Sequence, residues 1–319
     1  MIAAAALLAF VGPGTARAEK PYRIGYLSTL SEAQVARQLL AFRRGLAETG
    51  FAEGRDIEIE YRWAEGRYER LPAMAAELVA RSVSLILAQA PPAALAAKAA
   101  TTRIPIVFVV GFDPVTGGLV QSFNNPGGNA TGMTLASNLL GQKRLEIIRD
   151  ISPRASVVAM LVNPVSPDTP GEIESVQGAA RSLGIEIAIV KASNPGEIEA
   201  AFERIAEKHP DGLLVGTDPF FLNQRAALIA RAARARVPAI YPFRDYAVAG
   251  GLLSYGTDIA ASYRQAGIYA GRILKGAQPA DLPIMRPTKF ELVINLKTAE
   301  NLALEIPPVV HARSDEVIE

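Results

Sequence analysis

Short apolar runs alternate with longer segments of helical periodicity along nearly the whole chain. In the first unit, Arg23–Leu27 is an apolar strand, and the helix that follows begins at Ser31 and continues to about Glu48. Ser31 is predicted to cap this helix, because Gln34 three residues later completes a capping box. The apolar positions of the helix recur at spacings of three and four residues. This alternation predicts an α/β protein.

The alternation continues through two series of strands. The predicted strands are 23–27, 57–63, 85–88 and 104–110 in the first series, and 157–162, 185–190, 213–216, 238–241, 252–255 and 290–295 in the second. Helices between consecutive strands are typical of βαβ units, which build mostly parallel sheets covered on both faces. The pattern therefore predicts two doubly wound parallel-sheet lobes. The tail after Pro307 is expected to be weakly ordered.

Composition limits the possible functions. The chain has 319 residues, half of them hydrophobic, which is enough for two cores. Its 33 Lys and Arg nearly balance its 32 Asp and Glu, so a nucleic-acid partner, which needs a clustered basic excess, is not expected. There is no cysteine, and the two histidines, His209 and His311, lie far apart in sequence. No metal or other cofactor is therefore expected.

Motifs of nucleotide-binding and hydrolytic α/β enzymes do not occur in the sequence. It contains neither a GxxxxGK[ST] phosphate loop nor a GxGxxG turn after a predicted strand. Residues 251–256 have the sequence GLLSYG, whose spacing differs from that of a GxSxG nucleophile elbow. We therefore expect that the protein is not an enzyme.

Residues 1–18 differ from the rest of the chain. The apolar run from Ile2 to Val11 is too short to cross a bilayer as a helix, and Ala16-Arg17-Ala18 resembles a cleavage site. These features predict a signal peptide that is cleaved after Ala18, although no Lys or Arg precedes the apolar run. We expect an exported protein with no other membrane segment.

Candidate ligand contacts follow from a general property of parallel sheets. Ligands bind beyond the carboxyl ends of the strands, close to helix N-termini. Polar, aromatic and helix-opening residues at these positions are the predicted ligand-binding residues. They are Ser28, Thr29, Trp63, Gln89, Pro91, Ala93, Asp113, Asn163, Asp218, Phe220 and Tyr241.

Two of these candidates are aspartates that precede a proline. Asp113 and Asp218 each follow a predicted buried strand, and a helix is expected after each of them. One interpretation makes both side chains helix N-caps with proline at the first helical position. The other makes Asp218, which precedes Phe220 and Phe221, a contact for a ligand ammonium group. The sequence leaves both interpretations open.

Three further positions also have two interpretations. The turn at 89–93 opens a helix whose free amides at Ala93 and Ala94 would suit a carboxylate or phosphate, but two prolines remove donors there. Trp63 either stacks on a ligand or packs against the following helix. Tyr241 is placed similarly in the second series.

Five segments carry a resemblance to a known family. They are IEYRWAEGRYERLPAMAAELV (59–79), PIVFVVGFDPVTGGLVQSFNNPGGNATG (105–132), TDPFF (217–221), FRDYAVAGGLLSYGTD (243–258) and PTKFELVINLKTAENLAL (287–304). These segments resemble the ABC transporter substrate-binding proteins, including those related to bacterial tryptophan- and phenylalanine-binding proteins. The resemblance covers roughly residues 22–306, and the second and last segments are its most specific parts.

The resemblance implies a periplasmic-binding-protein type I fold, in which two doubly wound lobes joined by a three-strand hinge close on a ligand. The implied lobes are residues 20–133 with 258–282, and residues 134–257 with 283–319. The implied crossings lie near Thr134, Thr257 and Pro283. The family typically has Thr or Ser with Gly before the helix start at which this chain has Gln89-Ala90-Pro91-Pro92, so the family's acid-binding contact does not carry over directly.

The resemblance also implies a function. The chain is expected to be a monomeric periplasmic solute-binding component of an ABC importer, which binds a small molecule such as an amino acid or a related carboxylate. Its partners would be an ABC permease and the ATPase of that permease, and it would meet the membrane only through the permease. Two alternatives remain open: a ligand-binding module that feeds a signalling receptor, and an α/β hydrolase.

Overall fold

The structure is a computed structural model that describes residues 21–319. The predicted signal peptide and its cleavage site lie outside the described residues. The chain forms two α/β lobes, each built on a sheet of its own. In the part of the chain that the structure describes, no helix is both long enough and apolar enough to cross a bilayer.

The first lobe contains a parallel five-stranded sheet. Its strands are β1 (Tyr22–Ser28), β2 (Ile57–Trp63), β3 (Leu85–Gln89), β4 (Ile106–Val110) and β5 (Ala130–Thr134), in the spatial order β2-β1-β3-β4-β5. The helices between them are α1 (Glu32–Glu48), α2 (Leu71–Ala80) and α3 (Pro91–Ala100). Every residue of β3 and β4 is buried, because helices cover both faces of the sheet.

The second lobe contains a seven-stranded sheet. Its strands are β6 (Val157–Val162), β7 (Glu186–Lys191), β8 (Gly212–Val215), β9 (Ala239–Tyr241), β10 (Leu253–Thr257), β11 (Phe290–Asn295) and β12 (Glu316–Ile318). Their order is β12-β11-β10-β9-β8-β6-β7, and only the β10–β11 pairing is antiparallel. The remaining helices are α4 (Ser137–Ile151), α5 (Thr169–Leu183), α6 (Pro195–Glu207), α7 (Pro219–Asn223), α8 (Arg225–Arg234), α9 (Arg244–Val248), α10 (Ile259–Leu274), α11 (Leu296–Asn301) and α12 (Pro308–Ala312).

Local sequence accounts for several element boundaries. The predicted strands 57–63, 157–162 and 290–295 have the observed bounds. The capping box of α1 is present, with Gln34 Oε1 accepting hydrogen bonds from the Ser31 amide at 2.9 Å and from Ser31 Oγ at 2.8 Å. Asn194 caps α6 by accepting from the Glu197 amide at 3.2 Å. These contacts depend on residues close in sequence, which is why the sequence predicts them.

Helix α10 comes late in the chain but packs on the first lobe, against α1. The two helices approach closely at Gly45 and Gly267. A Cβ atom at Gly45 would lie 1.9 Å from the Arg264 carbonyl oxygen, and one at Gly267 would lie 2.1 Å from the Phe42 carbonyl oxygen. Only glycine fits at these two positions, so this helix pair fixes the returning chain to the first lobe.

Between residues 21 and 319 the chain passes between the lobes three times, and the three passages are linked to one another. They follow β5, follow β10, and lie between Leu282 and Phe290. The Thr257 hydroxyl donates to the Leu135 carbonyl at 2.9 Å, which joins the first two passages. The third passage pairs with β5 through Met285, whose carbonyl accepts from the Thr134 amide at 3.0 Å.

The prediction of a helix after Asp113 is wrong. Residues 114–118 form turns in which the Gly117 amide donates to the Asp113 carbonyl at 2.9 Å. The chain has two adjacent glycines there, and Gly118 has a φ of +73°, which ends any helical turn. Only the second aspartate-proline pair, Asp218-Pro219, begins a helix.

The prediction of a weakly ordered tail is also wrong. Residues 316–318 form the edge strand β12, which pairs in parallel with β11. The Leu292 amide donates to Asp315 Oδ2 at 2.8 Å, and Arg244 forms a bidentate ion pair with Glu316 at 2.6 Å. A three-residue strand of mixed polarity has too little periodicity to be recognised, and its order comes from pairing with residues distant in sequence.

Candidate functional site

The two lobes enclose a cavity beyond the carboxyl ends of β3, β4 and β8. Its volume is about 50 Å³, several times the ~10–15 Å³ that one water molecule requires. The wall combines a polar and an apolar part. The polar side chains are Gln38, Gln89, Asp168, Thr217, Asp218 and Tyr263, and the apolar ones include Pro91, Val109, Leu135, Pro219, Leu222, Phe243 and Ile259.

Asp218 lies three residues after the end of β8 and caps α7. Its Oδ1 accepts hydrogen bonds from the Phe220 amide at 2.8 Å, from Asn163 Nδ2 at 3.0 Å and from the Tyr68 hydroxyl at 3.0 Å. Its Oδ2 is buried and has no hydrogen-bond partner among the described residues. Burial raises the pKa of the Asp218 carboxyl despite the bonds to Oδ1. The capping interpretation is therefore correct for Oδ1. Oδ2 has no partner at hydrogen-bond distance among the described residues, and the buried Ser166 hydroxyl, which also lacks one, faces this carboxyl and lowers its pKa.

Asp168 provides a second carboxylate that was not among the predicted residues. It precedes α5, is 3% exposed, and its Oδ1 has no hydrogen-bond partner among residues 21–319. Burial raises its pKa well above the usual value, and the nearby carboxylates of Glu172 and Asp218 raise it further. Asp168 lies six residues after the end of β6, too far along the chain to be a strand-end residue. Its position before Thr169-Pro170 is typical of an aspartate that opens a helix, and this is the sequence signal by which Asp168 can be found.

A buried ion pair supports this side of the cavity from behind. Arg144 is completely buried and its Nη1 lies 3.2 Å from Glu172 Oε1. Arg144 Nη2 donates to the Ser137 carbonyl at 3.0 Å and to Thr217 Oγ1 at 3.2 Å. The other Glu172 oxygen accepts from the Thr217 amide at 2.9 Å. The pair therefore fixes the loop that carries Asp218.

Gln89 forms the corresponding polar part of the wall in the first lobe. Its Oε1 accepts three hydrogen bonds: from Ser28 Oγ at 2.8 Å, from the Thr29 amide at 3.1 Å and from Thr29 Oγ1 at 3.1 Å. Ser28 and Thr29 are completely buried. They lie behind Gln89, which lines the cavity in their place.

Contacts between the lobes close the site. The Tyr68 hydroxyl of the first lobe donates to Asp218 and accepts from the Phe220 amide at 3.1 Å. Gln34 Nε2 donates to Asn223 Oδ1 across the same cleft. Gly111 allows the lobes to approach, since a Cβ there would lie 2.7 Å from Asp168 Oδ2. The structure is thus a closed arrangement of the lobes.

Three of the predicted ligand-binding residues line the cavity, namely Gln89, Pro91 and Asp218. Three others, Ser28, Thr29 and Asn163, make hydrogen bonds to Gln89 or Asp218 as described above. The five that remain occupy other places.

Trp63 stacks on Tyr61 with ring centroids 5.2 Å apart, and Tyr241 stacks on Tyr246 at 4.7 Å. Ala93 and Phe220 are buried in the lobe cores. None of these four lines the cavity. The strand-end rule selects the correct edge of each sheet but does not determine which side chains face the cleft.

Asp113 caps its own turn. Its Oδ1 accepts from the Val115 amide at 2.8 Å and from the Thr116 amide at 3.3 Å. Together with Asp168 it lines a neighbouring space of about 220 Å³ between the lobes. Within residues 21–319, no cluster of three or more His, Cys, Asp and Glu side chains is arranged to hold a metal ion.

Three known proteins are similar to this chain over more than 90% of its length. The chain is 26% identical over 301 residues to a tyrosine-binding protein of Clostridioides difficile, covering 93% of this chain and 86% of the relative. A conserved domain protein from Vibrio cholerae superposes with a TM-score of 0.88 at 27% identity, covering 93% of this chain and all of that one. An ABC domain from Streptococcus pneumoniae in complex with L-Trp superposes with a TM-score of 0.86 at 24% identity, covering 94% and 100%.

A family model described as ABC transporter substrate binding protein matches residues 24–318, which is nearly all of the described chain. The proteins of this family are binding proteins, and those of this type are periplasmic. The two-lobed α/β fold and the cavity between the lobes are what such a binding function requires. The chain belongs to the ABC transporter substrate-binding protein family.

Proposed function

We propose that this protein binds a small molecule with an ammonium group in the cavity between its lobes, and that closure of the lobes presents the complex to an ABC permease. The observation that carries the proposal is the pair of buried carboxylates, Asp168 and Asp218, on the wall of that cavity, each with an oxygen that lacks a partner within residues 21–319. An ammonium group would provide the missing donors and the missing positive charge.

Other parts of the proposal are supported by the sequence, the fold and the family. The protein is not an enzyme, acts as a monomer and is exported to the periplasm after cleavage at Ala18. Its lobes move as residues 20–133 with 258–282 and residues 134–257 with 283–319. The relatives that are named for tyrosine or contain L-Trp support a ligand with an amino group.

Small-angle X-ray scattering with calorimetry tests the proposal. The purified mature chain is titrated with amino acids and small amines, and scattering is recorded with and without each compound that binds. Because a ligand between the lobes favours the closed form, a bound compound is expected to lower the radius of gyration. A set of binding compounds that leaves the radius unchanged would contradict the proposal.

The Asp218→Asn variant tests the role of the carboxylate. Asparagine retains an oxygen that can accept from the Phe220 amide, so the cap of α7 is kept while the charge is lost. The loss of a charge-assisted hydrogen bond is expected to weaken binding of an ammonium ligand by about 2 kcal/mol. The matched control is Asp113→Asn, which changes an aspartate that caps a turn outside this cavity. If wild type and Asp218→Asn bind the ammonium ligand with equal affinity, Asp218 acts only as the N-cap of α7.

A further inference from the structure

In the first lobe, three hydrogen-bond donors of the protein converge on one acceptor in the cavity wall, the side-chain oxygen of Gln89. Ser28 Oγ, the Thr29 amide and Thr29 Oγ1 all donate to Gln89 Oε1, within 2.8–3.1 Å. Three converging donors would suit a carboxylate oxygen of a ligand. Here Gln89 occupies them, and Ser28 and Thr29 are completely buried behind it. A ligand carboxylate would have to displace an internal hydrogen-bonded amide to reach them.

The adjacent helix start provides few replacement donors. Pro91 and Pro92 occupy the first turn of α3 and have no amide hydrogen, and the Ala90 amide donates to the Val109 carbonyl at 2.9 Å. The Ala94 amide donates to the Ala90 carbonyl at 3.0 Å. Of the two amides that the sequence suggests for an anion, this leaves only that of Ala93, one donor against the three that Gln89 occupies.

The charge on the wall is also unsuitable for an anion. The described residues that line the cavity include two aspartates and no Lys, Arg or His. Arg144, the nearest buried guanidinium to this loop, is already bound to Glu172. Three lining residues each have a buried acceptor with no partner in the described part of the chain: Gln38 Oε1, Asp168 Oδ1 and Asp218 Oδ2. An ammonium group has three N–H donors, whereas a carboxylate has none and would be repelled by each aspartate that is ionised.

We propose that the cavity selects small amines without a carboxylate over the amino acids that correspond to them. The apolar residues Leu135, Leu222, Phe243 and Ile259 would hold the hydrocarbon part, and Asp168 and Asp218 the ammonium group. Because the proposal rests on the proposed function, its test compares molecules that differ only in the carboxylate.

The experiment measures affinities by calorimetry for matched pairs of increasing size. The pairs are ethylamine with alanine, isobutylamine with valine, isopentylamine with leucine, 2-phenylethylamine with phenylalanine, and tyramine with tyrosine. In the pair that fits best, the amine is expected to bind at least about tenfold more tightly than the acid, as expected when a buried charged group is left without partners. Tighter binding of the acids in every pair that binds would overturn this inference while leaving the proposed function intact.

The Gln89→Ser variant provides a second and independent readout. It removes the internal acceptor, so that Ser28 and Thr29 can donate to a ligand carboxylate. Its preference for the amine over the acid is expected to fall by at least about fivefold, because the acid gains affinity. The matched control is Gln121→Ser, at an exposed glutamine of the same lobe. If the folded Gln89→Ser protein keeps the same preference, Gln89 is not the residue that excludes the carboxylate. If no compound of the panel binds, both proposals are overturned.

Discussion

Tyr68 of the first lobe and Asp218 of the second are joined by a hydrogen bond of 3.0 Å from the phenol to the carboxylate. The same phenol oxygen accepts from the Phe220 amide at 3.1 Å. Closure of the lobes thus adds a tyrosine to the N-terminal cap of α7. Burial raises the pKa of Tyr68 well above the usual value, so its hydroxyl keeps the proton that it donates.

Removing the Tyr68 hydroxyl is expected to weaken ligand binding. Tyr68→Phe loses both cross-lobe hydrogen bonds, but the Phe220 amide still bonds to Asp218 Oδ1 at 2.8 Å. The closed form should lose about 0.5–1.5 kcal/mol, since a typical hydrogen bond contributes this much. Calorimetry should show the loss in affinity, with little change in the melting temperature of the free protein. Tyr61→Phe, which removes a hydroxyl bonded to Glu53 away from the cleft, is the control and should leave affinity unchanged.

A methyl group at Gly111 is expected to oppose closure. The added Cβ would lie 2.7 Å from Asp168 Oδ2, which belongs to the other lobe. Overpacking of this kind typically costs about 1–3 kcal/mol, and here the cost falls on the closed form alone. Gly111→Ala should therefore reduce affinity and leave the ligand-bound protein with a larger radius of gyration.

Gly178→Ala is the control for this variant, because a Cβ at Gly178 in α5 meets nothing closer than 3.8 Å. A Gly111→Ala protein that binds and compacts like the wild type would show that Asp168 moves aside without cost.

The Asp168 carboxyl is expected to make stability fall as pH rises. Its pKa is raised in the folded protein by burial and by the facing carboxylates of Glu172 and Asp218, whereas in the unfolded chain it is about 3.9. The folded state then binds the proton more tightly, so the free energy of unfolding decreases from the unfolded pKa upward until the folded pKa is passed. The Tyr68 phenol also faces this group but is uncharged in this range.

Asp168→Asn should remove this loss and raise the free energy of unfolding at neutral pH by about 1–3 kcal/mol, with no gain below about pH 4. Denaturant unfolding across pH 4–8 measures the difference. Asp211→Asn is a control of opposite sign, because hydrogen bonds from the Ser156 and Val157 amides lower the pKa of Asp211. Stability from Asp211 is present above the unfolded pKa and is lost on acidification. If the free energies of unfolding of wild type and Asp168→Asn differ by the same amount at every pH, the titration of Asp168 is not the cause.

The Arg144–Glu172 pair is expected to matter more for stability than any exposed ion pair. Arg144→Met would leave Glu172 charged, buried and without its cation, which typically costs about 3–5 kcal/mol. The double variant Arg144→Met/Glu172→Gln removes both charges of the pair and keeps an acceptor for the Thr217 amide, so it should regain about 1–2 kcal/mol. Denaturant unfolding measures both. Arg234→Met, which removes an exposed partner of Glu199, should change stability by less than about 1 kcal/mol.

The family, the fold and the edge of each sheet that faces the cleft could be predicted from the sequence. Strands such as Ile57–Trp63 and caps such as Ser31 and Asn194 follow from residues adjacent in sequence, and hydrophobic periodicity specifies the βαβ units. Gln89, Pro91 and Asp218 are predictable because they lie at or just after the ends of strands that meet at the cavity.

Only the tertiary structure determined how these residues are used. Asp168 comes to the site through the path of the loop after β6, Tyr68 reaches it from the other lobe, and Gln89 accepts from residues sixty positions earlier in the chain. Strand β12 likewise forms only against β11. Local periodicity carries no information on contacts between distant segments, and packing determines which polar atoms are buried without a partner. The sequence by itself therefore determines that this protein has a binding cleft, and the tertiary structure determines the charge and hydrogen-bonding pattern inside it.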